Sequence, residues 1–209
     1  MPIFKFPPRR DAAPQAEELR LFPLNAVLFP GGTLSLRVFE QRYMTLVKDC
    51  FRNERTFGIC LIAEGAEVGA PAQPHPVGTE ARIVAWDMTQ PGILNITVRG
   101  EGRFRILSSE ADREGLLHAR VEVIPAEETL PVPEALATLV PLLQAMAADG
   151  GDERFPPPHQ FDDAAWVGYR FSELLPIPAI ARQKLLELED SASRLEIVYK
   201  YLAQRGLVK

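Results

Sequence analysis

The stretch Phe22-Pro-Leu-Asn-Ala-Val-Leu-Phe-Pro-Gly31 and the string that follows it, Leu34-Ser-Leu-Arg-Val-Phe-Glu-Gln-Arg-Tyr43, decide the fold. Apolar and polar residues alternate through the first half of the second string, and this period of two predicts a half-buried strand over residues 33–39. Beyond it the apolar residues fall at helical spacing, which predicts a helix from Glu40 to Asn53. A strand that passes directly into an amphipathic helix indicates a mixed fold.

Short extended runs surround this stretch on both sides. They are predicted at residues 19–24, 26–30, 57–63, 79–88, 93–99, 103–109 and 116–124. A Gly/Pro-rich loop is predicted from Glu64 to Pro76, and hairpin turns are predicted at Gln90-Pro-Gly92 and Gly100-Glu-Gly102. Many short strands with turns at close intervals predict a barrel-like or sandwich architecture that ends at Pro125.

From Pro133 onward the apolar residues fall at helical spacing. Pro141 predicts a kink or break in the first helix, and a loop is predicted from Asp149 to Gln160. The helices that follow are expected to begin at Asp162–Asp163, at Pro178, and at either Asp190 or Ser193. The chain therefore predicts an α+β fold in three parts: a flexible arm (1–18), a β-rich subdomain (19–125) and a helical subdomain (126–209).

The charge of the 209-residue chain argues against one broad class of function. Its formal net charge is -5, whereas nucleic-acid binding requires a clustered excess of Lys and Arg. The densest basic group, Arg99, Arg103 and Arg105, alternates with other residues along a predicted strand. A solvent-exposed strand face is therefore predicted for these arginines.

The cysteines and the apolar runs indicate the compartment. Cys50 and Cys60 each lie in an apolar pattern, which predicts buried, reduced thiols in a cytosolic setting. No segment approaches the roughly 20 apolar residues that a membrane-spanning helix needs, and residues 1–18 contain no apolar run of signal-peptide length. We therefore expect a cytoplasmic protein that binds neither nucleic acid nor membrane.

Five strings in register carry a resemblance to a known family. After the two quoted above come Phe57-Gly58-Ile, Val77-Gly-Thr-Glu-Ala-Arg-Ile83 and Val98-Arg-Gly-Glu-Gly-Arg-Phe-Arg-Ile106. Together with the helical half, they make residues 19–205 resemble the Lon N-terminal (substrate-binding) domain family. The resemblance implies a PUA-like twisted β pseudo-barrel followed by a C-terminal helical bundle. It also implies structural roles for Glu40, Arg42, Tyr43, Gly58, Gly78, Gly100, Arg103 and Phe104.

In full-length Lon this unit precedes a coiled coil, an AAA+ ATPase and a Ser-Lys protease. The 209 residues contain no G-x-x-x-x-G-K-[ST] phosphate loop, so we expect a stand-alone member without ATPase or protease domains. The string Met88-Thr-Gln-Pro-Gly92 departs from the family, which more often has an Asp-Gly turn there. This departure leaves the type of that hairpin turn open.

Catalytic and metal chemistry have few candidates in this sequence. Glu40 is expected to form a structural ion pair with Arg42 or Arg103, and an acid–base role for it would need a second convergent group in a pocket. The three histidines lie in separate segments, whereas a zinc site draws at least two ligands from a close spacing. We expect no catalytic residues, no metal and no cofactor.

Apolar residues near predicted turns are the candidates for a binding surface. Phe29 and Pro30 precede a Gly-Gly turn, and Trp86, Met88 and Ile93 flank the turn at residues 90–92. Aromatic and Met side chains suit a surface that accommodates varied unfolded segments. The alternative is that all five residues belong to the core.

The resemblance implies a non-catalytic module that binds unfolded or exposed hydrophobic polypeptide segments, with a protease or chaperone component as a further candidate partner. A first alternative is a regulatory adaptor that docks a specific partner through its helical half. That function would leave a large exposed apolar patch on residues 133–205. A second alternative is a small hydrolase, which would need a cleft with a perturbed carboxylate near Glu40.

Overall fold

The computed structural model describes residues 16–155 and 157–208. The first half contains β1 (Glu17–Leu24), β2 (Thr33–Val38), α1 (Gln41–Asn53), β3 (Phe57–Glu64), β4 (Gln73–Gln90), β5 (Ile93–Ala111) and β6 (Leu117–Ile124). A 3-10 turn at Glu134–Leu136 leads to α2 (Leu139–Arg154), α3 (Ala164–Leu174), α4 (Ala179–Glu187) and α5 (Ser191–Ala203). The predicted arm, residues 1–18, falls mostly on residues 1–15, which lie outside the described residues.

The strands form one mixed sheet in the order β2-β5-β4-β3-β1-β6. β1 and β3 run parallel, while β1 and β6, and β4 and β5, run antiparallel. β5 pairs along its first half with β2 and along its second half with β6, and the second pairing closes the sheet into a ring. The predicted α+β fold, a twisted β pseudo-barrel followed by helices, is therefore confirmed.

β5 runs without interruption through Gly100-Glu-Gly102, where the sequence predicted a hairpin turn, so this prediction is wrong. The loop before β2 crosses the strand at Gly100. The Gly100 N–H donates to the Gly32 carbonyl, and the Gly100 carbonyl accepts from the Gly31 N–H, both at 2.8 Å. A Cβ at position 100 would overlap the Phe29 carbonyl oxygen. Glycine is therefore needed here because two backbone segments approach closely.

Other element boundaries differ from the predicted ones for local reasons. β4 begins at Gln73, inside the predicted loop, because it continues to pair with the end of β3. Pro141 lies in the first turn of α2, where its missing N–H has no helical partner to lose. α2 continues past a backbone kink at Gly151, where a loop was predicted. Residues 26–30 form a loop rather than a strand.

One predicted hairpin turn and two predicted helix starts match the structure. The hairpin turn predicted at residues 90–92 joins β4 to β5, with Gln90 paired to Ile93. Asp163 caps the N-terminus of α3. α5 begins after Asp190, the earlier of its two predicted starts, and the Asp190 carboxylate accepts the Ser193 N–H at 2.7 Å. Such signals are readable because a cap or a tight turn depends on neighbouring residues.

Separate apolar clusters stabilise the barrel and the helices, and another joins them. In the barrel core, beneath α1, the rings of Phe22 and Tyr43 stack with centroids 3.8 Å apart. In the joining cluster, Phe29 of the barrel packs against Tyr169 of α3 with ring centroids 5.8 Å apart. The two halves thus share buried apolar surface, whose removal from water stabilises their contact.

Two glycines of the family-like strings make room for one aromatic ring. A Cβ on Gly58 or on Gly78 would lie 2.6 Å from Cζ of Phe104.

The cysteines Cys50 and Cys60 are buried free thiols, as predicted. Burial raises the pKa of both thiols, which keeps them protonated and poorly nucleophilic.

Arg42 fastens the start of α1 to the barrel. Its Nη2 lies 3.0 Å from Oε2 of Glu40, and its Nη1 donates to the Gly115 carbonyl at 3.0 Å. The guanidinium carbon lies 4.7 Å from the centroid of the Tyr43 ring, within cation–π distance. Glu40 therefore pairs with Arg42, and of the two candidate partners Arg103 is engaged elsewhere.

Arg103 belongs to a buried charge cluster, and the prediction that it lies on a solvent-exposed strand face is wrong. Its Nη2 lies 3.0 Å from Oε1 of Glu127, and its Nη1 donates to the Leu186 carbonyl at 2.8 Å. Glu127 also pairs with Nη2 of Arg194 at 2.7 Å and accepts the Tyr169 O–H at 2.6 Å. These partners come from beyond β6, and the alternation within a single strand carries no information about them.

Candidate polypeptide-binding groove

A groove with a volume of about 840 Å³ runs between α1 and the β4–β5 hairpin. This volume lies within the roughly 300–1,000 Å³ that is typical of ligand sites. Its apolar lining consists of Met44, Val47, Phe51, Trp86, Met88 and Leu94. Its ionisable lining residues, among those described, are Lys48, Asp49 and Arg52. The groove is thus an apolar surface with charge along one wall.

Helix and strand periodicity bring these side chains together. α1 turns its buried stripe into the barrel core, which leaves Met44 and Phe51 at the edge of the stripe and facing the groove. On β4, Trp86 and Met88 lie two residues apart and therefore on one face of the strand. The cross-strand partner of Trp86 is Ile96, which is buried under α1. The exposed part of this face of β4, which carries Trp86 and Met88, therefore lies next to the edge of α1 that carries Met44 and Phe51.

Three of the groove side chains are large, apolar and exposed. The exposed fraction is 62% for Trp86, 49% for Met88 and 42% for Phe51. The rings of Phe51 and Trp86 meet edge to face, with centroids 5.9 Å apart and an interplanar angle of 61°. A cluster of this kind leaves apolar surface in water that a ligand can cover, and such clusters mark interaction sites.

The structure divides the five binding candidates taken from the sequence. Trp86 and Met88 line the groove together. Ile93 is half-buried at the base of the hairpin turn and does not line the groove. For Phe29 the expectation of exposure is wrong, because the crossing of its loop over β5 folds the ring into the joining cluster. Pro30 follows it, and its carbonyl accepts from Nη2 of Arg170 at 2.7 Å.

Phe51, Met44 and the two cations of α1 were not among the predicted binding residues. Helical spacing puts Phe51 on the same apolar stripe of α1 as Val47, but this spacing gives the direction of a side chain and not what covers it. The available signal was the length of the stripe: Phe51 lies one turn beyond Val47, at the end of the helix. Where the apolar stripe of a helix extends beyond the sheet that it covers, its last residue is left exposed.

A smaller cavity of about 390 Å³ lies where the barrel meets the helices. Pro30, Trp166 and Tyr169 line it, together with the paired Arg103 and Glu127. Arg103 and Glu127 already bind one another in this cavity, so this pair holds the two halves together rather than offering free donors to a ligand.

Catalytic and metal chemistry find little support in the side-chain arrangement. The Glu40 carboxylate faces Arg42 and accepts the Gly69 N–H at 3.5 Å, a structural setting. Within residues 16–155 and 157–208, no group of three or more His, Cys, Asp or Glu side chains is placed to hold a metal ion. None of the helices described is both long and apolar enough to cross a membrane.

Known proteins are similar to this chain over most of its length. The family model described as the ATP-dependent protease La (LON) substrate-binding domain matches residues 18–204. A Lon protease of Anaeromyxobacter dehalogenans (strain 2CP-C) is 29% identical over 203 residues, which cover 90% of this chain and 23% of that protein. The chain thus spans about a quarter of the length of the curated Lon proteases that it matches, 23% and 26% for two of them.

Solved structures agree with this comparison. The crystal structure of a Lon N-terminal domain protein from Xanthomonas campestris superposes with a TM-score of 0.75 at 36% identity, covering 88% of this chain and 98% of that one. The N-terminal domain of a Mycobacterium avium complex Lon protease superposes with a TM-score of 0.66, covering 90% of this chain and 98% of that one. Its identity of 17% makes it evidence for the fold alone.

Proposed function

Because the chain belongs to the ATP-dependent protease La (LON) substrate-binding domain family, we propose that it is a non-catalytic module that binds unfolded or exposed hydrophobic polypeptide segments in the groove beside α1. The observation that carries the proposal is the exposed contact of Phe51 with Trp86, next to Met88. Aromatic rings and a flexible thioether accept apolar side chains of many shapes, as a binder of unfolded segments must.

The size of the groove sets the expected affinity. Covering a large apolar side chain contributes about 1.5–3 kcal/mol, and ordering a flexible segment offsets part of that gain. Two or three anchored side chains supply about 3–9 kcal/mol before that offset. We therefore expect a dissociation constant that is micromolar or weaker, where about 1 μM corresponds to roughly -8 kcal/mol. Such weak binding allows a segment to be released and the next one to be sampled.

The first experiment is a titration of the labelled protein with an unfolded, casein-like polypeptide and with a folded control protein. We expect binding of the unfolded polypeptide only. The substitutions Trp86→Ala and Phe51→Ala should each weaken binding by about tenfold, the effect expected of a central aromatic anchor. Met88→Ala and its control Leu107→Ala form a matched pair, since Met88 lies in the groove and Leu107 outside it with a similar exposed fraction, 49% against 51%.

The proposed groove requires that Met88→Ala weaken binding while Leu107→Ala leaves it unchanged. Equal affinities of all four variants and the wild type would place binding on another surface. Failure of the unfolded polypeptide to bind at high micromolar concentration would rule out the proposed function for this chain.

A second candidate function, docking of a specific folded partner through the helical half, is favoured by the exposed side chains of Ile180, Ile197 and Leu207. These lie on α4, on α5 and beyond it, whereas Phe51 and Trp86 are in mutual contact. Co-elution with a full-length Lon protease in size-exclusion chromatography tests this candidate. It requires that an Ile180→Ser/Ile197→Ser double variant lose the co-elution and that Trp86→Ala retain it.

A further inference from the structure

The wall of the groove formed by α1 carries two cations on successive turns. Lys48 and Arg52 are four residues apart, so their side chains lie on one side of the helix. Both are exposed and both line the groove. Neither takes part in any of the ion pairs found in the part of the chain that the structure describes. Their charges are therefore available to a ligand.

The acidic residues near the groove do not balance these charges. Asp49 lines the groove, but its Oδ2 lies 2.5 Å from Nη2 of Arg20 on β1. Asp87 lies between Trp86 and Met88 in sequence, so strand alternation places its side chain on the opposite face of β4. The groove thus combines an apolar floor with an excess of positive charge on one wall.

We infer that the groove, used as proposed above, selects apolar segments that carry Asp or Glu beside their apolar anchor. Side chains on successive helical turns lie about 5–6 Å apart, and residues i and i+2 of an extended segment lie about 6.6 Å apart. Two acidic residues at i and i+2 can therefore face Lys48 and Arg52 while the residue between them points to the other side.

The test uses three short peptides with the same Phe- and Leu-containing core and with Glu, Gln or Lys at the flanking positions. Binding is measured by fluorescence anisotropy at low and at high salt. Each exposed charge pair contributes modestly, so we expect the Glu peptide to bind about three- to tenfold more tightly than the Gln peptide. The Lys peptide should bind most weakly. The differences should shrink at about 1 M salt, where the screening length falls to about 3 Å.

Substitutions assign the preference to the two cations. The Lys48→Gln/Arg52→Gln double variant should bind all three peptides with the affinity that the wild type shows for the Gln peptide. The charge-reversed variant Lys48→Glu/Arg52→Glu should prefer the Lys peptide. Arg113→Gln, which removes an exposed cation outside the groove, is the matched control and should keep the wild-type order.

The outcomes separate this inference from the function on which it rests. If the wild type binds the three peptides equally and Trp86→Ala weakens all of them, charge selection is wrong and the groove remains the binding site. If the preference survives the Lys48→Gln/Arg52→Gln change, its source lies elsewhere and the inference fails. If the wild type binds none of the peptides, the proposed function fails and the charge selection with it.

Discussion

Glu173 on α3 carries a carboxylate that packs against the backbone at Gly32, at the crossing of the loop over β5. Burial raises its pKa to about 7, although the nearby guanidinium groups of Arg170 and Arg182 lower the pKa in part. Arg170 Nη2 lies 3.0 Å from Oε1 of Glu173. The carboxylate is therefore protonated in the native protein over a range of pH in which it ionises in the unfolded chain.

The raised pKa of Glu173 predicts how stability depends on pH. The native state binds more protons than the unfolded state between the ordinary pKa of 4.5 and about 7, so the contribution of Glu173 to the free energy of unfolding falls as pH rises through this window. Glu173→Gln removes this dependence, because the amide keeps an acceptor for Arg170 and does not ionise. The expected difference is about 1–2 kcal/mol, below the full conversion of the shift because the side chain is 25% exposed.

Urea unfolding of the wild type and of Glu173→Gln, from about pH 5 to about pH 8, measures this difference. The variant should gain stability relative to the wild type as pH rises. Since the other carboxylates are common to both proteins, the difference between the two curves isolates Glu173. Parallel curves would show that Glu173 has an ordinary pKa in the native state.

At the scale of the element, β3 and β4 meet around the ring of Phe104 on β5. Gly58 and Gly78 both face this ring, but a Cβ would meet different neighbours at the two positions. At Gly58 its three nearest neighbours would all be side-chain atoms, those of Phe104 and of two leucines. At Gly78 it would also lie 2.6 Å from the backbone oxygen of Ile59. A side chain can move aside, whereas a paired strand cannot without losing hydrogen bonds.

This difference predicts an unequal rescue. Gly58→Ala and Gly78→Ala should each destabilise the protein by about 1–3 kcal/mol, the usual cost of overpacking. Combining each with Phe104→Leu should relieve Gly58→Ala substantially and Gly78→Ala little, as measured by double-mutant cycles in urea. Gly102→Ala is the control, because a Cβ there meets nothing within 4 Å. Equal rescue at both positions would contradict the assigned role of the Ile59 carbonyl.

Elements whose signal is local could be predicted from the sequence, and those that depend on distant contacts could not. The strand-to-helix change at Glu40 and the cap at Asp190 each depend on neighbouring residues, and both lie where the sequence placed them. The glycines at 100 and 102 were mistaken for a turn, because the loop that requires Gly100 lies some seventy positions earlier. Only part of the groove could be predicted for the same reason. Trp86 lies close to a predicted turn, which indicates exposure, whereas the exposure of Phe51 depends on what covers the end of α1.

At the scale of the whole molecule, the barrel and the helices share a core and a charge cluster. Phe29, Val77 and Ile124 of the barrel are buried against α3 and α4. Glu127, with a side chain 6% exposed, lies between Arg103 of β5 and Arg194 of α5. Separation of the halves would expose the apolar cluster to water and break the pairing of Arg103 with Glu127. We propose that residues 19–125 and 126–209 are subdomains of one cooperative unit.

The placement of the cysteines and tryptophans allows this cooperativity to be measured. Cys50 and Cys60 are both buried in the barrel half, so their reactivity toward a thiol reagent reports the opening of the barrel. In a Trp86→Phe variant the remaining tryptophan, Trp166 on α3, is buried and reports the helical half by its fluorescence. Because the halves share their interface, pulsed thiol labelling and Trp166 fluorescence should give the same midpoint in urea.

Loss of the Glu127 carboxylate should shift both probes together. In the Trp86→Phe background, Glu127→Gln leaves Arg103 and Arg194 uncompensated, and we expect both midpoints to fall by the equivalent of about 3–5 kcal/mol. The neighbouring Glu128 is exposed, so Glu128→Gln is the control and should change stability by less than about 0.5 kcal/mol. Two separate midpoints, or a Glu127→Gln shift confined to one probe, would mean that the halves unfold independently. A shift of both midpoints would mean that the barrel, and with it the groove, depends for its stability on the Glu127 carboxylate at the junction with the helices.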